Sequence, residues 1–140
     1  MKLVPFIGLA SFLLVAVAGL SCTDAGNEPG NQTGNFTAVS QQDSCSVAED
    51  FVRNSPTFRY DGIEETLVLT AVNTLRCPYC WEFVFEFDSR HSGYGDRTGQ
   101  ILAPVITRHT AKVVVVEGEV TYGVLDGQWD MLAQAFITLE

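Results

Sequence analysis

Positive charge is scarce in this chain. Eight Lys and Arg stand against 17 Asp and Glu, leaving a net charge of −9. Phosphate binding needs clustered basic residues, so nucleic acid is excluded as a partner. A basic ligand, a cation or a basic protein surface is compatible with the balance, as is surface acid that keeps an exported protein soluble. There are two histidines, His91 and His109, and neither lies in a recognisable nucleophile–histidine–acid order. The Gly-x-x-x-x-Gly-Lys phosphate loop is absent. No residue supplies a fourth metal ligand to the cysteines at convincing spacing, so no metal or cofactor is expected. Apolar residues are almost missing from Thr23 to Asp43, a stretch rich in Gly, Asn, Ser, Thr and Gln. Such a stretch cannot bury enough surface to offset its ordering entropy, and it reads as a disordered tether.

Long apolar sequence occurs once, from Leu3 to Leu20, after Lys2 and before Ser21-Cys22. A basic start, an apolar middle and small residues before a cysteine form an export signal. Ala18-Gly19-Leu20-Ser21-Cys22 resembles a bacterial lipobox in relaxed form, with Leu20 one place nearer the cysteine than the family's leucine. The resemblance implies cleavage after Ser21 and a diacylglyceryl thioether on Cys22. The protein would then be anchored to the outer face of the cell membrane or to the cell envelope, because two acyl chains give stable attachment. A leader cut elsewhere would release the protein. An uncut one is long enough, at about 18–20 residues, to span a bilayer core. Removing Lys2 with the leader takes the charge from −9 to −10. The organisation is therefore a signal peptide over 1–21, a lipidated cysteine and tether over 22–43, and one domain over 44–140. Two sequons in the tether make Asn31 and Asn35 glycosylation candidates.

Ser46-Val47-Ala48-Glu49 reads as a capping box opening a short helix over about 46–54, which the Ser55-Pro56 step ends. Strand signals follow. Glu65–Asn73 places Leu67, Leu69 and Ala71 on one face. Trp81, Phe83, Phe85 and Phe87 alternate with Glu82, Val84, Glu86 and Asp88, so the aromatics form a buried face at the centre of the core. Thr110–Val116 and Glu119–Leu125 flank a Glu117-Gly118 turn and form a hairpin. From Gln128, the spacing of Trp129, Leu132, Ala133 and Phe136 predicts a C-terminal helix, with a last strand at Phe136–Leu139 as the alternative. The expected fold is α+β: a short N-terminal helix packed on an antiparallel sheet of about four strands, with a C-terminal helix. This element order over about 45–126 resembles the cystatin-like or PepSY-like exported domains, in which one helix lies across a curled meander.

Two strings carry chemistry. Cys77-Pro78-Tyr79-Cys80 resembles the redox motif of glutaredoxins, whose reactive cysteine needs a helix N-terminus. Here a strand pattern follows, so the pair falls between two antiparallel strands. In an oxidising compartment the disulfide candidates are Cys45, Cys77 and Cys80, paired either as Cys77–Cys80 or with Cys45 bridged to one of the two. The second string, Ser89–Gln100, is a glycine-punctuated polar loop holding Arg90, His91, Tyr94, Asp96 and Arg97. Loops on rigid strands carry binding residues, and two arginines suit a carboxylate or phosphate. The expected ligand contacts are Arg90, His91, Tyr94 and Arg97; ion pairing of the arginines with Asp96 or Asp88 is the plainer use. The functional expectation is a membrane-anchored, non-catalytic binding domain for an envelope protein or a small anionic ligand. A thiol–disulfide oxidoreductase using Cys77 and Cys80, and a protease-inhibitor-like module lacking the cystatin Gln-x-Val-x-Gly hairpin, are the alternatives.

Overall fold

The computed structural model describes Cys22 and residues 39–138. The leader, residues 23–38 with Asn31 and Asn35, and the last two residues lie outside the described residues. The order is α1 (Gln41–Asn54), α2 (Pro56–Asp61), a 3-10 turn (Glu64–Thr66), then β1 (Val68–Thr74), β2 (Cys80–His91), β3 (Pro104–Val116), β4 (Glu119–Leu125), β5 (Trp129–Asp130) and β6 (Ala135–Phe136). All six strands form one antiparallel meander in sequence order. Of the described residues 44% are strand and 23% helix, with a single helix of seven or more residues among them. This replaces the expected α+β layout of a helix on four strands with a second helix at the C-terminus. Among the described residues no helix is long and apolar enough to cross a membrane.

α1 begins at Gln41, inside the span read as tether, because the working capping box lies six residues before the expected one. The Asp43 N–H donates to Ser40 Oγ (3.0 Å) and Ser40 donates back to the Asp43 carboxylate. Ser44, Ala48 and Val52, spaced by four, form the buried stripe with Cys45 and lie against β2, β3 and β4. Pro56 ends the helix as expected. Ser55, extended at ψ 143°, is the C-cap of α1 and the N-cap of α2, with Pro56 in the first helical turn.

Phe83, Phe85 and Phe87 are buried, facing Val113, Ala111 and His109 across the β2–β3 ladder. On β1 the register slips between Leu69 and Ala71, so Val72, rather than Ala71, stands opposite Phe83. Glu117 and Gly118, both at positive φ, make the two-residue β3–β4 turn. Gly123 on β4 leaves room for a ring of α1: a Cβ there would sit 2.7 Å from Phe51 Cε1. Gly123→Ala is expected to lower unfolding free energy by about 1–3 kcal/mol through overpacking. Urea unfolding checks this; an unchanged midpoint would contradict the packing of Phe51 on β4.

The C-terminal helix does not form. Asp126 and Gly127, at φ 53° and 71°, turn the chain so that Trp129 pairs with Leu125. The Asp130 carboxylate then accepts the Leu132 and Ala133 N–H groups, both at 2.8 Å, and turns the chain again before β6. The helical spacing of Trp129 and Phe136 is met by an edge-to-face contact between hairpin partners, with Tyr94 stacked on Trp129 at 5.5 Å.

Candidate functional site, a clamped polar loop at one end of the sheet

The inner face of β2 runs Phe83, Phe85, Phe87 and then Ser89; that of β3 runs Val115, Val113, Ala111 and then His109. Strand alternation thus carries two polar side chains into the interior at the end capped by α2 and the loop after β2. Burying them requires partners, and the structure supplies two linked networks.

The first centres on Asp61 at the end of α2. Its carboxylate accepts from Arg97 Nη2 (2.6 Å), the His91 N–H (2.8 Å) and His91 Nδ1 (2.8 Å). Arg97 is 2% exposed. Its Nη1 donates to the carbonyls of His91, Ser92 and Gly93, its Nη2 also to Thr57 O, and its guanidinium lies 4.7 Å from the centre of the Tyr60 ring. Its buried Nε has no partner among the described residues. The Gly95 N–H donates to Thr57 Oγ1 (2.8 Å), and Gly95 sits at φ 71° under the Trp129 ring, where a Cβ would be 3.2 Å from that ring. Loop 92–97 is therefore fastened to α2 from inside.

The second network centres on His109, 1% exposed. Its Nδ1 lies 2.7 Å from Asp126 Oδ2 and its Nε2 3.1 Å from Ser89 Oγ. Asp126 also accepts the Thr110 N–H (2.7 Å) and the Tyr94 hydroxyl (3.0 Å). Serine, histidine and aspartate are thus joined in the order of a nucleophilic relay. Ser89, however, is fully buried and donates to His91 O at 2.6 Å, so it faces no substrate space. The His91 carbonyl, which accepts from both Ser89 and Arg97, joins the two networks.

Burial alone would raise the Asp126 carboxyl; the hydrogen bonds from His109, Thr110 and Tyr94 outweigh it and hold the group below the usual carboxylate range. Burial first, then the bond to Asp126, pushes the Tyr94 hydroxyl up. A depressed folded-state pKa contributes stability above the unfolded value of about 4, and that contribution is lost as pH falls through the lower folded value. Asp126→Asn is therefore expected to reduce the loss of thermal stability between pH 5 and acid below about 3. A variant as acid-sensitive as the parent would contradict the assignment.

The expected ligand contacts divide. Arg97 is an internal clamp, Tyr94 is half-buried between Asp126 and Trp129, and the His91 ring holds Asp61. Arg90 is exposed and in no ion pair among the described residues. Asp88 pairs with Arg108, not with Arg90 or Arg97. A cleft of about 590 Å³ opens between α2 and the loop, lined by Asn54, Pro56, Arg59, Tyr60, Asp96 and Thr98. Hydrogen bonds from the Thr98 hydroxyl and N–H hold the Asp96 carboxyl below its usual range. The sequence reading missed Arg59, Asp61 and Asp126 as site members and passed over Ser89 and His109. Strand phase alone could have placed His109 inside, since it alternates with Ala111, Val113 and Val115.

Among the described residues no three His, Cys, Asp or Glu side chains converge as a cation site. All four cysteines are paired, Cys22 with Cys45 and Cys77 with Cys80. The Cys77–Cys80 pairing was among the expected ones; Cys45 instead takes the cysteine assigned to the lipid. A sulfur in a disulfide cannot also hold a thioether, so the two uses of Cys22 exclude each other. Cys22 is further docked on α1, its N–H reaching the Glu49 carboxylate (3.4 Å) and its carbonyl accepting from Gln42 Nε2 (2.8 Å). Two disulfides fit an oxidising, extracytoplasmic environment. Together, fold and site define a disulfide-closed antiparallel-sheet domain with an internally fastened loop over one cleft. No protein-family model, characterised protein or solved structure matches the chain.

Proposed function

We propose that the chain is an exported, non-catalytic binding domain whose contact surface is the cleft between α2 and the clamped loop, for a small ligand with an anionic group. The observation that carries this is the division of labour between two arginines. Arg97 is buried and fixes the loop, whereas Arg59 is exposed in the cleft and in no ion pair among the described residues. A guanidinium beside a preorganised wall favours a carboxylate or phosphate. The ionised Asp96 in the same cleft favours a ligand that also brings an amine or hydroxyl donor.

Amide-resolved NMR titration with glutamate and with inorganic phosphate tests the reading. Shifts confined to Arg59, Tyr60 and the Asp96–Thr98 segment are expected, lost in Arg59→Ala. A titration that moves no cleft amide, or one that Arg59→Ala leaves intact, counts against it.

Export rests on the leader and on the disulfides. Attachment through a Cys22 thioether would leave Cys45 a free thiol, so we read the exported domain as closed by Cys22–Cys45, with the leader either removed upstream of Cys22 or retained as the anchor. Intact mass after alkylation without reduction is expected to show no modified cysteine. A diacylglyceryl mass together with one alkylated cysteine at position 45 would restore the lipid at Cys22.

A further inference from the structure

We infer that the Cys77–Cys80 disulfide is an exchangeable redox site that accepts two electrons from an exposed protein dithiol, while Cys22–Cys45 is the structural bridge. The two bonds differ in what they constrain. Cys22–Cys45 joins residues 23 apart, whereas Cys77–Cys80 joins residues 3 apart. The constraint a disulfide places on the unfolded chain grows with the loop it closes, so the second bond contributes less. Its turn is also held without it. Thr74 pairs with Trp81, the Leu75 N–H donates to Cys80 O (3.1 Å), and the Glu117 N–H of the neighbouring hairpin donates to Tyr79 O (2.9 Å).

Access differs within the pair. Cys77, Pro78 and Tyr79 are exposed at the hairpin tip, whereas Cys80 is 1% exposed. An incoming thiolate therefore reaches Cys77 first. No acidic residue lies between Leu75 and Trp81, and Arg76, exposed beside Cys77, favours the approach of an anion. Cys80 Sγ lies 3.2 Å from Pro78 O, which accepts the S–H once Cys80 is reduced, so the reduced form leaves no orphaned thiol. No helix N-terminus takes part, which separates this site from the strand–helix setting of a thioredoxin-type active site.

The exchange balances as follows. A partner thiolate attacks Cys77 Sγ, the Cys77–Cys80 bond breaks, and Cys80 leaves as a thiolate that takes up a proton. The partner's second thiolate then attacks its own sulfur in the mixed disulfide and releases Cys77, which is protonated in turn. The partner is oxidised from dithiol to disulfide and the domain is reduced from disulfide to dithiol. This site is remote in the chain from the cleft residues, so its failure and that of the cleft reading are distinguishable.

The test uses the purified chain with both disulfides formed, equilibrated in glutathione buffers of graded reduced-to-oxidised ratio and counted for thiols with a maleimide mass tag. Cys77–Cys80 is expected to open at a ratio at least tenfold lower than Cys22–Cys45. Cys80→Ser is expected to accumulate a glutathione adduct on Cys77. The double variant Cys77→Ala with Cys80→Ala separates a redox role from a structural one and is expected to keep its thermal midpoint within a few degrees of the parent. Both disulfides opening together, no adduct in Cys80→Ser, or a double variant that loses its fold would each overturn the inference.

Discussion

Replacing Arg97 with alanine is expected to destabilise the domain by about 3–5 kcal/mol, the cost of leaving one member of a buried ion pair uncompensated. Asp61 is 7% exposed and would be left with only the His91 donors beside it. The carbonyls of Ser92, Gly93 and Thr57 would lose the Arg97 donor in the same step, and that of His91 would keep only Ser89. Arg97→Lys preserves the charge but not the planar fork that reaches Asp61 and the loop carbonyls together, so it should lie between alanine and the parent. Urea unfolding of the two variants measures the order. A loss under about 1 kcal/mol for alanine would mean that the pair is solvated rather than buried.

Loss of the Cys22–Cys45 bridge is expected to have the next largest effect. Its sequence separation of 23 implies about 3 kcal/mol from the constraint on the unfolded chain. Cys45 is 5% exposed among the α1 residues that meet the sheet, so Cys45→Ala removes little else of size. The variant should unfold at lower urea with a steeper dependence on denaturant, because its unfolded chain exposes more surface. Under reducing conditions variant and parent should converge. Identical curves for parent and variant without reductant would show that Cys22 is not bonded to Cys45 in the folded protein.

The aromatic strand, the Glu117-Gly118 hairpin and the break at Ser55-Pro56 were legible from sequence because each rests on local rules: alternation, a two-residue turn, a ring that blocks a helix. The C-terminus was not. Trp129 and Phe136 satisfy a helical period and also the pairing of two short strands, and the choice was made by the positive φ of Asp126 and by the Asp130 side chain. The β1 slip is equally silent in sequence, since a bulge changes which face Ala71 meets without changing a residue. At the site, Ser89–Gln100 was found as a loop of interest, but the roles inside it were inverted. Arginine in a polar loop reads as a ligand contact, whereas here α2 folds over it and Asp61, 36 positions earlier, claims it. Cys22 was read through the leader before it, and its bond to Cys45 depends on where α1 begins.

Amide hydrogen exchange at Gly95 most directly probes the fastened loop over the cleft. Its N–H is buried against Thr57 Oγ1 in the middle of a surface connection. Protection approaching that of the β2–β3 ladder, and lost in Arg97→Lys while the ladder stays protected, is the expected result. Exchange at the rate of an open polar loop in the parent protein would show that nothing inside holds the connection, and the preorganised cleft would go with it.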